Sequence, residues 1–203
     1  MRNIMLYLLF IIISGYSFSQ SLGEGYRDTK WGMSPQEVRP IMMGYRTVDY
    51  GSNWNEGGDT IHRYFSRNRN SSYDPDFWID FCFYQNKLYR VVYKPYKPNA
   101  STEKMLLDEL KSKYGNNFKT SSVRTETMGV FSKGFNVTEW SDRTTKISFM
   151  ASWMTDAQGR FNTPQNSYVE YLGIQINEEK QSAIRRAADE RRNSSQNNLR
   201  NNL

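Results

Sequence analysis

The sequence predicts an α+β domain: a mostly antiparallel sheet with helices packed on one face and one further helix at the C-terminus. Three observations predict it. Residues 77–94 alternate apolar and mixed side chains with a two-residue period around a short turn. Residues 122–176 hold four more short runs of the same kind, separated by turn residues. Only three stretches read as helices, by helical periodicity together with a start or stop signal.

The first residues stand apart from that domain. Arg2 precedes an apolar run over 4–13, and Ser17-Phe18-Ser19 offers small residues before Gln20. This order reads as a secretory signal over residues 1–19. A spanning helix needs about 20 apolar residues, more than this run supplies. A lipoprotein needs a cysteine at the cleavage point, whereas the one cysteine is Cys82. The expectation is an exported chain, periplasmic or secreted, with no spanning segment after cleavage.

Residues 26–31 suit a lead-in strand. Ser34, Pro35 and Glu37 then form the clearest local signal: an N-cap, a proline in the first turn, and a capping box. Val38, Ile41 and Met42 fall on one face of that helix. Pro40 should kink or shorten it, and Gly44 should end it. Residues 46–50 suit a strand, 51–59 a loop, and 60–65 a strand with Ile61, Arg63 and Phe65 on one side and His62 and Tyr64 on the other. Residues 66–76 read as a polar linker.

In the hairpin at 77–94, a two-residue loop at Gln85-Asn86 pairs Phe83 with Leu88 and Ile79 with Val92. The core face is then Phe77, Ile79, Phe81, Phe83, Leu88 and Val92. The second face holds Trp78, Asp80, Cys82, Tyr89, Val91 and Tyr93. Residues 95–98 close the hairpin. A helix over 101–114 buries Leu106, Leu107, Leu110 and Tyr114 and stops at Gly115. Strands are expected at 122–131, 134–140, 145–154 and 168–176, with Ile147, Phe149, Ala151 and Trp153 sharing a face. The polar loop 155–167 is long enough to be functional. A last helix over 177–192, capped by Asn177, offers only Ala183, Ile184, Ala187 and Ala188 for docking. Residues 193–203 read as a disordered tail. Within one domain over 20–176, a helix followed by strands occurs twice, at 29–95 and 99–176.

The run WGMSPQEV (31–38), followed by the hairpin pattern F-x-F-Y-x-N-K-L-Y (81–89), resembles uncharacterised exported bacterial proteins with a W-G-M-S-x-x-E-V helix start. The helix-then-hairpin plan is similar to the small envelope modules related to BamE lipoproteins and the β-lactamase inhibitor protein. The lipidation cysteine of BamE is missing here. The resemblance implies a small, exported, non-catalytic module.

Composition narrows the chemistry. One cysteine forms no internal disulfide, and one histidine with one cysteine supplies no His/Cys zinc cage. Aromatics make up 15% of the residues against 37% hydrophobic overall, so the core must lean on large rings. Cys82 lies mid-strand with no basic neighbour in sequence to activate it. His62, the one histidine, reads as a half-exposed structural residue. Asp74, Asp76 and Asp80 lack the glycine and terminal glutamate of a calcium loop. No glycine-rich phosphate loop or dinucleotide fingerprint is present, and no metal or cofactor is expected. The formal charge of +6 and the interleaved basic and aromatic residues at 89–97 hint at nucleic acid, but export argues against that partner. The same patch suits a secreted or envelope protein, or a glycan. The candidate binding residues are Trp78, Tyr89, Arg90, Tyr93 and Lys94; tryptophan, tyrosine and arginine are enriched in binding hot spots. The competing expectation is a hydrolase whose paired carboxylates meet in a cleft invisible to sequence.

Overall fold

The computed structural model describes residues 21–45, 47–50, 54–56, 59–67, 75–128, 131–156 and 166–201. The signal segment and most of the 155–167 loop lie outside the described residues. The elements are α1 (Pro35–Gly44), β1 (Thr47–Asp49), β2 (Trp54–Glu56), β3 (Asp59–Arg67), β4 (Pro75–Tyr84), β5 (Lys87–Pro95), α2 (Ala100–Tyr114), β6 (Lys119–Met128), β7 (Phe131–Ser141), β8 (Thr145–Thr155), β9 (Tyr168–Gly173) and α3 (Ile174–Asn201). Every paired strand is antiparallel to its neighbour, in the order β1-β3-β4-β5-β9-β8-β7-β6, with β2 also pairing with β3. The protein is therefore α+β with an antiparallel sheet. Each of α1 and α2 leads into a meander, and the last strands of the two meanders, β5 and β9, pair at the centre of the sheet.

Local chemistry fixes the helix starts. The Ser34 side chain accepts from the Glu37 amide, and the Glu37 carboxylate accepts from the Ser34 amide at 2.7 Å. Helix α1 continues through Pro40 to Gly44: one missing donor is insufficient to break it while Val38 and Met42 are fully buried. Asn99 caps α2 by accepting from the Thr102 amide at 2.9 Å. Gly115, at φ 78°, ends it, and its carbonyl accepts from the indole of the fully buried Trp140. Leu106, Leu110 and Tyr114 join Tyr64, Ile79, Phe81, Phe83, Leu88, Val91, Ile147 and Phe149 in one core between these helices and the sheet.

The central hairpin departs from its expected register at one residue. Phe83 does pair with Leu88 across the Gln85-Asn86 turn, but Cys82 pairs with Arg90, leaving Tyr89 as an extra residue in a β-bulge. Ile79 therefore pairs with Tyr93, not Val92. The bulge turns both Tyr89 and Arg90 toward the second face and exchanges the faces expected for Val91, Val92 and Tyr93. Val91 lies in the main core, and Tyr93 packs against it beside Phe77.

Residues 26–31 form a turn rather than a strand: the Thr29 amide donates to the Tyr26 carbonyl, and Arg27 adopts a left-handed φ of 54°. The Trp31-Gly32-Met33 segment that follows joins the two meanders. The Gly32 amide donates to the Leu88 carbonyl, and the Leu88 amide donates to the Met33 carbonyl, both at 2.8 Å. The Trp31 indole donates to Thr145 Oγ1 at 2.8 Å and lies against Gly173, where a Cβ would meet the ring at 2.8 Å.

Other boundaries moved for identifiable reasons. The stretch read as loop 51–59 contains β2, which extends the outer edge of β3. Phe131 opens β7 and pairs with Met128, so the second hairpin turns earlier than its composition suggests. Helix α3 starts at Ile174 directly out of β9, because the Ile174 amide is satisfied by the Thr144 carbonyl at 2.9 Å and needs no capping side chain. It continues as helix to Asn201, beyond the expected end at 192. It also lies on the face opposite α1 and α2.

Candidate functional site

Among the described residues, the second sheet face is covered by α3 at one end only. There Ile176 packs against a small cluster of Ile61, Cys82, Tyr89 and Leu172. Lys180, 8% exposed, donates to Asp59 Oδ2 at 2.5 Å and to the Tyr89 hydroxyl at 2.8 Å, while that hydroxyl donates to the same Asp59 oxygen at 2.5 Å. Burial, followed by the Asp59 carboxylate, pushes the Tyr89 hydroxyl pKa well above its ordinary value. Asp59 Oδ1 is buried with no hydrogen-bond partner. Helix docking thus runs through a buried lysine, and not through the alanine stripe.

Away from α3, adjacent strands bring two cross-strand rows onto this face: Phe65, Trp78 and Lys94 in one, and Arg63, Asp80, Val92 and Glu170 in the other. Tyr50, 57% exposed, meets Trp78 edge-on at 5.7 Å and Phe65 at 6.2 Å, and Phe65 meets Trp78 at 5.4 Å. The Arg63 guanidinium stands 5.6 Å from the Trp78 ring centre. It also grips Asp80 with two hydrogen bonds of 2.5 and 2.9 Å, and Lys94 reaches the same carboxylate at 3.3 Å. Burial alone would raise the Asp80 pKa, but these two cations more than offset it and hold the carboxyl below its ordinary range. Arg90 continues the row toward Glu170 at 3.7 Å. The result is a three-ring cluster bordered by fixed charges of both signs.

Of the five residues singled out in the sequence, four share this face. Trp78 is half-buried in the ring cluster, and Lys94 stands beside it as its cross-strand neighbour. Arg90 is half-buried between Cys82 and Glu170. Tyr89 is on the same face but 2% exposed beneath α3. Tyr93 is on the opposite face. The bulge moves Tyr93, whereas the docking of α3 through Ile176 and Lys180 buries Tyr89. Sequence reading missed Tyr50, Phe65, Arg63 and Asp80 as members of the patch. The alternation of Ile61, Arg63 and Phe65 had placed an arginine among apolar residues, a sign that the face was neither fully buried nor fully solvated.

The remaining candidates occupy structural positions. Cys82 is buried, and its thiol accepts from Arg90 Nε at 3.4 Å. Burial nevertheless raises the thiol pKa, which leaves the sulfur a poor nucleophile. The arginine was invisible in sequence because it is a cross-strand neighbour, not a chain neighbour. His62 lies edge-on to Phe83 at 5.5 Å, and burial lowers its pKa. Asp76 accepts from Ser66 at 3.2 Å, while Asp80 is occupied by Arg63 and Lys94. Asp74 lies outside the described residues. Among the described residues, no helix is long and apolar enough to cross a membrane. Comparison of the chain with models of known protein families, with curated proteins and with solved structures returned no match.

Proposed function

We propose that this chain is an exported binding module of the bacterial envelope or its surroundings, and that it engages a protein partner through the open part of the second sheet face. The observation that carries this reading is the Tyr50–Phe65–Trp78 cluster bordered by Arg63, Asp80 and Lys94 on a sheet face that α3 covers only at one end. Rings of this kind contribute large contact area with few rotatable bonds, and arginine beside them adds directional hydrogen bonding; both features favour protein recognition. The positions of Asp80 and Arg63 are set before binding by their mutual hydrogen bonds, which reduces the ordering cost on association. The signal-like residues 1–19 support export.

Affinity capture from the native envelope tests the binding reading. The parent chain should retain a partner that Trp78→Ala and Lys94→Glu each release, with both variants melting near the parent. Equal retention by all three chains would overturn the sheet-face reading. Export has its own test. Mass spectrometry should find a mature N-terminus at Gln20, and an intact Met1 would contradict export.

A further inference from the structure

On the opposite side of the sheet, a cleft of about 260 Å³ opens between α2 and the turn that precedes α1. Its floor is formed by Tyr26, Tyr171, Leu106, Leu110 and Val169, all buried. Its rim carries the exposed side chains of Arg27, Lys113 and Glu109. Arg27 and Lys113 also border a second, adjoining cavity, so these two cations stand where both open.

Arg27 is held in an unusual way. Its φ of 54° is a left-handed conformation that a residue with a Cβ rarely adopts. Its guanidinium lies 4.5 Å from the Tyr45 ring centre and 5.4 Å from that of Tyr26. Tyr45 is itself anchored by donating its hydroxyl to Asp28. Strained backbone that is fixed by its surroundings is a pointer to function when it presents a reactive or binding group. Among the described residues, neither Arg27 nor Lys113 forms an ion pair. The rim of this cleft therefore carries two cations against Glu109, while Glu24 and Asp28 line the adjoining cavity.

We infer that this cleft binds a small organic monocarboxylate, with its apolar body on the leucine, valine and tyrosine floor and its carboxylate between Arg27 and Lys113. A neutral apolar ligand would leave both cations unused. A dianion would set its second charge against Glu109. An apolar floor with a few convergent polar groups is the usual form of a small-molecule site, and a guanidinium pre-positioned by stacked rings suits a planar carboxylate. This site is separate from the sheet face, and its test stands whether or not that face binds a partner.

The test is calorimetric titration of the purified protein with phenylacetate, and with uncharged phenylacetamide as the matched control. The prediction is saturable one-to-one binding of phenylacetate with a Kd below about 1 mM, and phenylacetamide weaker by about tenfold or more. Arg27→Gln and Lys113→Gln should each weaken phenylacetate binding by about fivefold or more, whereas Lys104→Gln, the same charge change on the same helix away from the cleft, should leave it unchanged. Lys113 is exposed on α2, so its variant reports on the cleft even if Arg27→Gln disturbs the turn. Absence of saturation, equal binding of the amide, or equal effects of Lys104→Gln and Lys113→Gln would overturn the proposal.

Discussion

Gly173 shows how much one side chain decides in this fold. It ends β9 beneath the Trp31 ring, where a Cβ would meet the indole at 2.8 Å. That indole is also fixed by its bond to Thr145, so it has little room to yield. Gly173→Ala should therefore destabilise the protein by about 1–3 kcal/mol, through overpacking at the junction of the two meanders. A denaturant melt checks this; an unchanged midpoint would show that the ring relaxes freely. The Trp-Gly-Met segment was legible in sequence as a helix start because capping is local chemistry within four residues. Its second role was not legible, since Leu88, Thr145 and Gly173 are distant in the chain. The same limit applies to Cys82 and Arg90, and to the single extra residue Tyr89. Nothing in the alternation of Leu88 to Lys94 marks which position is bulged, yet that one residue sent Tyr93 to the opposite face.

At the scale of elements, α3 rests on a buried ion pair. Lys180→Met would leave Asp59, 3% exposed, without its cation. A loss of about 3–5 kcal/mol is expected for such a broken pair. Replacing the whole polar group, with Asp59→Leu, Tyr89→Phe and Lys180→Met together, should recover most of that loss, because well-packed apolar residues avoid the desolvation cost. Equal instability of the single and triple variants would refute this account. From Ile184 to Gln196 every residue of α3 is exposed. Removing the chain after Ala183 should then change stability by no more than about 0.5 kcal/mol, whereas removing it after Glu179 should match Lys180→Met. Sequence patterning could not anticipate this arrangement. A lysine in a polar helix reads as solvated, and the alanine stripe reads as the docking face. Helix α2, by contrast, was legible, since Leu106, Leu110 and Tyr114 repeat at helical spacing and are all buried.

For the whole molecule, the antiparallel α+β class followed from the two-residue alternation and the scarcity of helical segments. The pairing of β5 with β9 at the centre did not, because strand order depends on contacts between distant residues. The titrating groups set the pH range of the assembled fold. His62 is held below its ordinary value of 6.5 by burial, so the unfolded chain takes up its proton first. Stability should fall as pH drops below about 6.5. Asp80 is held below its ordinary 3.8, so its contribution, complete above that value, is lost at still lower pH. Burial pushes Tyr26 and Tyr64 up from 10.0 to about 12, so stability should also fall as pH rises above about 10. Thermal melts should show a plateau between these limits, and His62→Gln should flatten the slope just below pH 6.5. A slope unaffected by that substitution would mean another group sets the acid edge.

The proposed binding role requires that the open part of the second sheet face meet a protein partner. A photo-crosslinking residue placed at Trp78, and separately at Met105, which is 53% exposed on α2, tests this most directly in the native host. The account predicts one discrete protein adduct from position 78 and none from position 105. Adducts of equal yield from both positions, or from neither, would contradict it.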